Sequence, residues 1–251
     1  MERNLTCIDC ALSGCEFTDR ARPAFCPTDR FDLRSEQWLL DCLNEEENRR
    51  VIEAASVSVH TASDLKLSHM EEIVIFAREL GAKKIGIASC ISLASEARAA
   101  AKVLRAHGFE VVGAICKIGS VTYGDLGIDV ERRSSTTVVC NPIYQAKVLN
   151  DAQTDLNVVM GLCTGHDALF LKYSDALCTL LTAKDFKFDH YSVRALRADD
   201  ESGELAHLLQ DEYGPYGQRY WLLFVRHSLP NVGCFQIGVL SFETYPCEFC
   251  T

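Results

Sequence analysis

The chain has 251 residues, 48% of them hydrophobic and 24% charged, the balance of an ordinary globular protein with enough apolar surface for a core. A formal net charge of −10, with no basic run, argues against nucleic acid or an anionic membrane as a general partner. The opening MERNLTCIDC lacks the charged-then-apolar form of a signal peptide, and no apolar run is long enough to span a bilayer, so a cytoplasmic location is expected.

Thirteen cysteines dominate the composition. The odd count, the chain length and the missing export signal speak against a disulfide scaffold and for metal, iron–sulfur clusters or thiol chemistry. Cys42 and Cys178 sit inside apolar patterns and read as small buried hydrophobes. The others fall in loops beside glycine, proline or polar residues.

Near the start, Cys7, Cys10, Cys15 and Cys26 lie among polar or small residues, with Pro23 and Pro27 as breakers. Such a segment has little apolar area to offset its own ordering entropy, and an ion or cluster would hold it together. The C-x2-C clip lets two sulfurs face one centre, so these four thiols are candidate metal ligands, with thiol–disulfide chemistry the competing reading. Ser35 to Val57 reads as one or two helices with Trp38, Leu39, Leu43, Val51, Ile52 and Ala55 on the apolar side, and His60 to Leu67 reads as loop.

An α/β core follows. Ser68 and Glu71 form a capping box for a helix carrying Ile73, Phe76, Ala77 and Leu80, stopped by Gly81. KIGIAS is a buried-strand pattern ending at Cys90, an alanine-rich helix runs from Ser92 to His107, and EVVGAIC is a second strand ending at Cys116. Lys117 to Val139 reads as a polar loop region. Cys140-Asn141-Pro142 opens a helix, which places Cys140 where the helix dipole favours a thiolate. LNVVM is the third strand, followed by Cys163, Gly165, His166 and Asp167 and a short helix to Tyr173; CTLLTAK is a fourth strand leading to Lys184-Asp185.

Strand–helix–strand units with short connections imply a Rossmann-like, mostly parallel sheet flanked by helices. The C-terminal ends of parallel strands share one edge, where open α/β sheets bind ligands. Cys90, Cys116, Cys140 and Cys163 are therefore expected to converge there with His166, as soft ligands for a metal or cluster. Asp167 would orient His166, and Lys184 would neutralise an anionic centre. Each residue has a blander reading. Cys90 and Cys116 would serve as packed small residues at strand ends, His166 would merely cap its helix, and Lys172 and Lys184 would be surface charges. No glycine pattern forms a phosphate-binding fingerprint.

The landmarks CIDCALSGC with FCPT, EEIVIFARELGAKKIGIASC, GFEVVGAICKIGS, CNPIYQAKVLN and TDLNVVMGLCTGHDALFLKYS give the chain a resemblance to a bacterial and archaeal family of unknown function commonly labelled metal-binding protein. They span most of residues 7 to 196. The resemblance implies an α/β domain, an N-terminal cysteine segment and a metal, and no particular reaction. After the fourth strand AKDFKFDHYS keeps Lys184, Asp185 and His190 of the family pattern while Phe186 and Tyr191-Ser192 depart from it, and Leu177 stands where a proline is usual.

Three parts are expected: a cysteine-rich segment at 1–34, an α/β core at 35–197 and an extension at 198–251. The extension suggests an acidic helix with Leu205, Leu208 and Leu209, two strands at Tyr220–Val225 and Phe235–Phe242, and a terminal C-x2-C of Cys247 and Cys250, a weak metal clip. Eight candidate thiols in two groups of four match the ligand count of two 4Fe-4S clusters, which makes an iron–sulfur protein the first reading. A non-enzymatic carrier or sensor of zinc or a related ion is the second, and a thiol enzyme using Cys140 or Cys163 with His166 as base the third. The partners expected are a small-molecule substrate or an electron-transfer protein.

Overall fold

The structure is a computed structural model that describes residues 5–30, 35–129 and 133–197, together with Leu208. The chain forms two compact units, Met1–Ser192 and Val193–Thr251. In the first, short 3-10 turns at Cys7–Asp9 and Gly14–Glu16 precede α1 (Pro27–Arg30), α2 (Gln37–Asn44), α3 (Glu46–Leu65), α4 (His69–Glu79) and β1 (Lys84–Ser89). Then come α5 (Ala94–Ala106), β2 (Glu110–Ile115), α6 (Pro142–Asp151), β3 (Leu156–Met160), α7 (His166–Tyr173) and β4 (Leu177–Thr182). Apart from Leu208, the acidic helix, the two tail strands and the Cys247/Cys250 pair expected in the extension lie outside the described residues.

The four strands make one sheet in the order β2-β1-β3-β4, and every pairing is parallel. Period-two alternation decides what each face carries. Ile85 and Ile87 of β1 and Leu156, Val158 and Met160 of β3 join Ala54, Ile73, Ala77, Ala100 and Leu104 from α3, α4 and α5 in one core. Ala88 and Val159 face the other way and pack with Ala146, Leu149 and Phe170 of α6 and α7. Burying a side chain such as Phe170, fully enclosed here, contributes about 1.5–3 kcal/mol. The α/β architecture with a parallel sheet is thus the one the strand–helix alternation implies.

Local chemistry sets the element ends. Ser68 caps α4 as expected, its N–H donating to Glu71 at 2.8 Å while the Glu71 N–H returns to the Ser68 hydroxyl. Gly86 lies so close to the buried Asn157 side chain that a Cβ there would collide with its oxygen. Asn157 in turn accepts from Thr154 at 2.9 Å and donates to Ser174 at 2.8 Å, so its polar atoms are paired.

Two expectations need correction. His60 to Leu65 is helix, not loop, because α3 continues along α4 and ends only at Lys66, whose φ of 56° is left-handed. Cys42 is exposed, since the apolar residues of α2 find no core to enter: Trp38 and Leu43 are exposed as well. Among the described residues no helix is long and apolar enough to cross a membrane.

Candidate functional site

The sheet order places a crossover reversal between β1 and β3: from β1 the chain goes first outward to β2, then back past β1 to β3. At such a switch point the connections leave on opposite faces, and a crevice opens beyond the C-terminal strand ends. The thiols lie there. Cys90 follows β1 directly and Cys116 follows β2, one residue past the register partners Ser89 and Ile115. Backbone bonds stitch the rim across the sheet. The Cys116 N–H donates to Ser89 O at 3.0 Å, the Cys90 N–H to Met160 O at 3.1 Å, and the Asn141 N–H to Cys116 O at 2.7 Å.

Asn141, not Cys140, caps α6, accepting the Tyr144 N–H at 3.0 Å, so Cys140 lies one residue before the cap. Cys163 lies three residues past β3 in a turn held by the His166 N–H, which donates to Cys163 O at 2.8 Å. Gly161 enables this exit. Its φ is 55°, and a Cβ would run into Leu93.

The four sulfurs influence one another in a ring. Cys116 feels the charges of both Cys140 and Cys90. Cys163 likewise feels the charges of Cys140 and Cys90. Their ionisation differs accordingly. Burial and the neighbouring sulfurs outweigh the Ile91 N–H, which donates to Cys116 Sγ at 3.3 Å, and push the Cys116 thiol up to about 12. Cys163 is also raised, by burial and then by the other two sulfurs, with Lys184 pulling the other way.

Cys90 is the exception. Burial pushes its thiol up, but hydrogen bonds from Ser92 and the Lys184 ammonium more than offset this and bring it down to about 7. Ser92 Oγ lies 3.3 Å from Cys90 Sγ, and Lys184 Nζ donates to Ser92 Oγ at 2.7 Å. Lys184 therefore serves the rim rather than standing as a free surface charge. Ser92 was not legible as functional, because a serine opening a helical pattern has the commoner role of a cap. Gln145 carries no motif signal either. Fully buried, it reaches from α6 and donates to Ser89 O at 3.1 Å and Ala114 O at 2.7 Å, tying together β1 and β2 just below the thiols.

The remaining candidates are placed differently. His166 begins α7 and its buried Nδ1 has no partner among the described residues, an orphan of the kind a ligand would satisfy. Asp167 does not orient His166. Its carboxylate accepts from the N–H groups of Gly165 at 2.9 Å and Ala168 at 2.8 Å, because a carboxylate at a helix start meets unpaired backbone donors before anything else. His190 stands near the rim, its Cε1 facing the space above Gly161, and it takes the Asp185 N–H on Nδ1 at 3.1 Å.

In the N-terminal segment Cys7 and Cys15 are exposed, Cys10 is half-buried and Cys26 is buried. Hydrogen bonds from Thr28 hold the Cys26 thiol below its ordinary value. The donor chemistry of both cysteine groups suits a soft metal, but the spacing is not that of a closed site. Among the described residues no three His, Cys, Asp or Glu side chains stand where they could hold an ion. This holds for the rim cysteines as it does for those of the N-terminal segment.

The family model described as "Protein of unknown function (DUF1847)" matches residues 26–181. The uncharacterized protein MJ0455 of Methanocaldococcus jannaschii is 38% identical over 160 residues, which is 64% of this chain and 82% of that protein. The matched span contains Cys90, Cys116, Cys140, Cys163 and His166, and leaves Cys7, Cys10, Cys15 and Lys184 outside. With more than half its length inside the family model, the chain belongs to the family described as protein of unknown function DUF1847.

Proposed function

We propose that the strand-end rim is a soft-metal site in which Cys90, Cys116, Cys140 and Cys163 are the ligands and an iron–sulfur cluster, 4Fe-4S in type, is the occupant. The observation that supports this reading is the placement of four cysteines around the β1/β3 switch point, at the exits of β1, β2 and β3 and just before α6. Lys184 supplies a compensating positive charge through Ser92, and His166, with its unpaired Nδ1, is the reserve nitrogen donor.

Cys7, Cys10, Cys15 and Cys26 form a second candidate set, which would order its polar segment on metal binding. A zinc carrier or sensor is the alternative occupant. A small-molecule substrate or electron-transfer protein as partner and a cytoplasmic location belong to the same proposal, and no reaction follows from the rim alone.

The test is metal and sulfide analysis of protein purified without oxygen. Iron and sulfide in near-equal amounts with a brown colour are expected, and a colourless protein carrying zinc alone sinks the cluster in favour of the carrier. Cys163→Ala should abolish the rim's colour and metal, whereas Cys178→Ala should not. Cys178 lies under α7, where its sulfur contacts Ser174 at 3.2 Å. Equal loss from both variants would show that the rim is not the site.

A further inference from the structure

One edge of the sheet is β2, and two bonds fix which way its backbone groups point. The Glu110 N–H donates to Lys83 O at 2.8 Å and the Cys116 N–H to Ser89 O at 3.0 Å. In a parallel ladder the alternate residues, here Val111, Gly113 and Ile115, then turn their N–H and C=O groups away from β1. Val111 O accepts from the Arg105 guanidinium at 3.2 Å, and Ile115 O accepts the Ile118 N–H at 3.0 Å. Among the described residues the N–H and O of Gly113 and the N–H of Ile115 have no partner, and Gly113 is exposed. Open groups of this kind are a template for a further strand.

Beside this edge a groove of about 400 Å³ opens between β2 and α5. It exists because both walls are small there, with Gly113 on the strand and Ala94, Ala97 and Ala101 on the helix. Packing does not demand the glycine, since a Cβ would meet nothing nearer than Ile87 O at 3.9 Å. Arg98, Lys102 and Arg105 recur at helical spacing along one side of α5 and line the same groove. No carboxylate among the described residues pairs with any of the three. They form a local excess of positive charge in a chain where 35 acidic residues outnumber 25 Lys and Arg.

We infer that β2 and α5 form a docking groove for an extended, acidic segment of a partner protein, which adds to β2 as a further strand and sets alternate acidic side chains against Arg98, Lys102 and Arg105. The main chain of the segment bonds the open groups of Gly113 and Ile115, and period-two alternation brings every second side chain to the α5 side. Backbone pairing supplies affinity without regard to sequence, and the cations select for acidic residues. A small free anion would use the cations and leave the strand edge unpaired. Docking here does not depend on what the strand-end rim holds.

The experiment titrates full-length protein into a rhodamine-labelled peptide that alternates glutamate and valine over six residues, the length of β2, and reads fluorescence anisotropy. Saturable binding that weakens as salt rises is expected. The same peptide with lysine in place of glutamate, or N-methylated along its backbone, should bind about tenfold more weakly or worse. Arg98→Glu combined with Lys102→Glu should weaken the glutamate peptide about tenfold. Gly113→Val, which fills the groove from its floor, should weaken it as well. Arg49→Glu, a change to an exposed cation on α3, should leave the affinity unaltered.

No binding, equal binding of the lysine or N-methylated peptide, or an unaltered affinity in the doubly reversed variant would overturn the inference. A dimer of the free protein in sedimentation, taken apart by Gly113→Val, would overturn it too, because a second copy would then hold the edge. The peptide and salt series use the unaltered protein, so they decide the matter even where a variant fails to fold.

Discussion

Cys90 and Cys116 are neighbours on adjacent strands, yet their surroundings drive their ionisation in opposite directions, to about 7 and about 12. The consequence for stability follows from linkage. From about 7 up to the ordinary thiol value of 9.0, Cys90 is ionised in the folded chain and protonated in the unfolded one, so rising pH stabilises the fold. Above 9.0 the unfolded chain loses the Cys116 proton while the folded chain keeps it to about 12, so rising pH destabilises.

The thiol contribution of metal-free protein should therefore peak near the ordinary thiol value. Denaturant titrations across the neutral to alkaline range would check this: Cys90→Ser should flatten the rising limb and Cys116→Ser the falling one, to which the raised Cys163 and Cys178 thiols also contribute. The sequence shows that both cysteines end strands. It does not show which is the acidic one, because that depends on Ser92 and on Lys184, which is remote from Cys90 in the chain and meets it only in the folded rim.

At the level of elements, the sheet and its helices were legible because the signals are local: capping residues, glycine stops and apolar runs whose spacing switches between strand and helix. What spacing does not encode is how strand ends are held apart. Gln145, in the middle of α6, bridges the carbonyls of Ser89 and Ala114, a role that depends on tertiary placement. Gln145→Leu keeps roughly the same size and removes the buried Oε1 that has no partner, but it takes a donor from Ala114 O and one of two from Ser89 O, which keeps the Cys116 N–H. A net loss of about 1–3 kcal/mol is expected. Equilibrium unfolding should show that loss, together with a changed metal content if the rim widens. A stability within error of the parent would mean the strand ends do not depend on this bridge. The course of α3 was misread for the same reason: His60 to Leu65 is polar in sequence, and only packing along α4 keeps it helical.

For the whole molecule, four of the candidate ligands come together because the chain reverses direction across the sheet between β2 and β3. Neither group brings three donors to where they could hold an ion among the described residues. Topology sets the first group along one sheet edge, whereas the second is linked by spacing in sequence alone. A metal bound to the folded rim and not to the unfolded chain stabilises by mass action. Chelation of metal-replete protein should lower the unfolding midpoint, and a variant with all four rim cysteines changed to serine should show a clearly smaller chelator effect, limited to any metal on the N-terminal set. An equal drop in that variant would place the stabilising metal elsewhere.

The sulfurs of the rim hang from four separate stretches of backbone, and the last of them, Cys163, follows β3. A growing chain cannot present the complete set until β3 and its exit turn have been made and the earlier strands have paired. Any occupant that needs all four must arrive late in biogenesis. Once there, it would clasp the exits of three strands to one another, so its loss and the fraying of that sheet edge should go together.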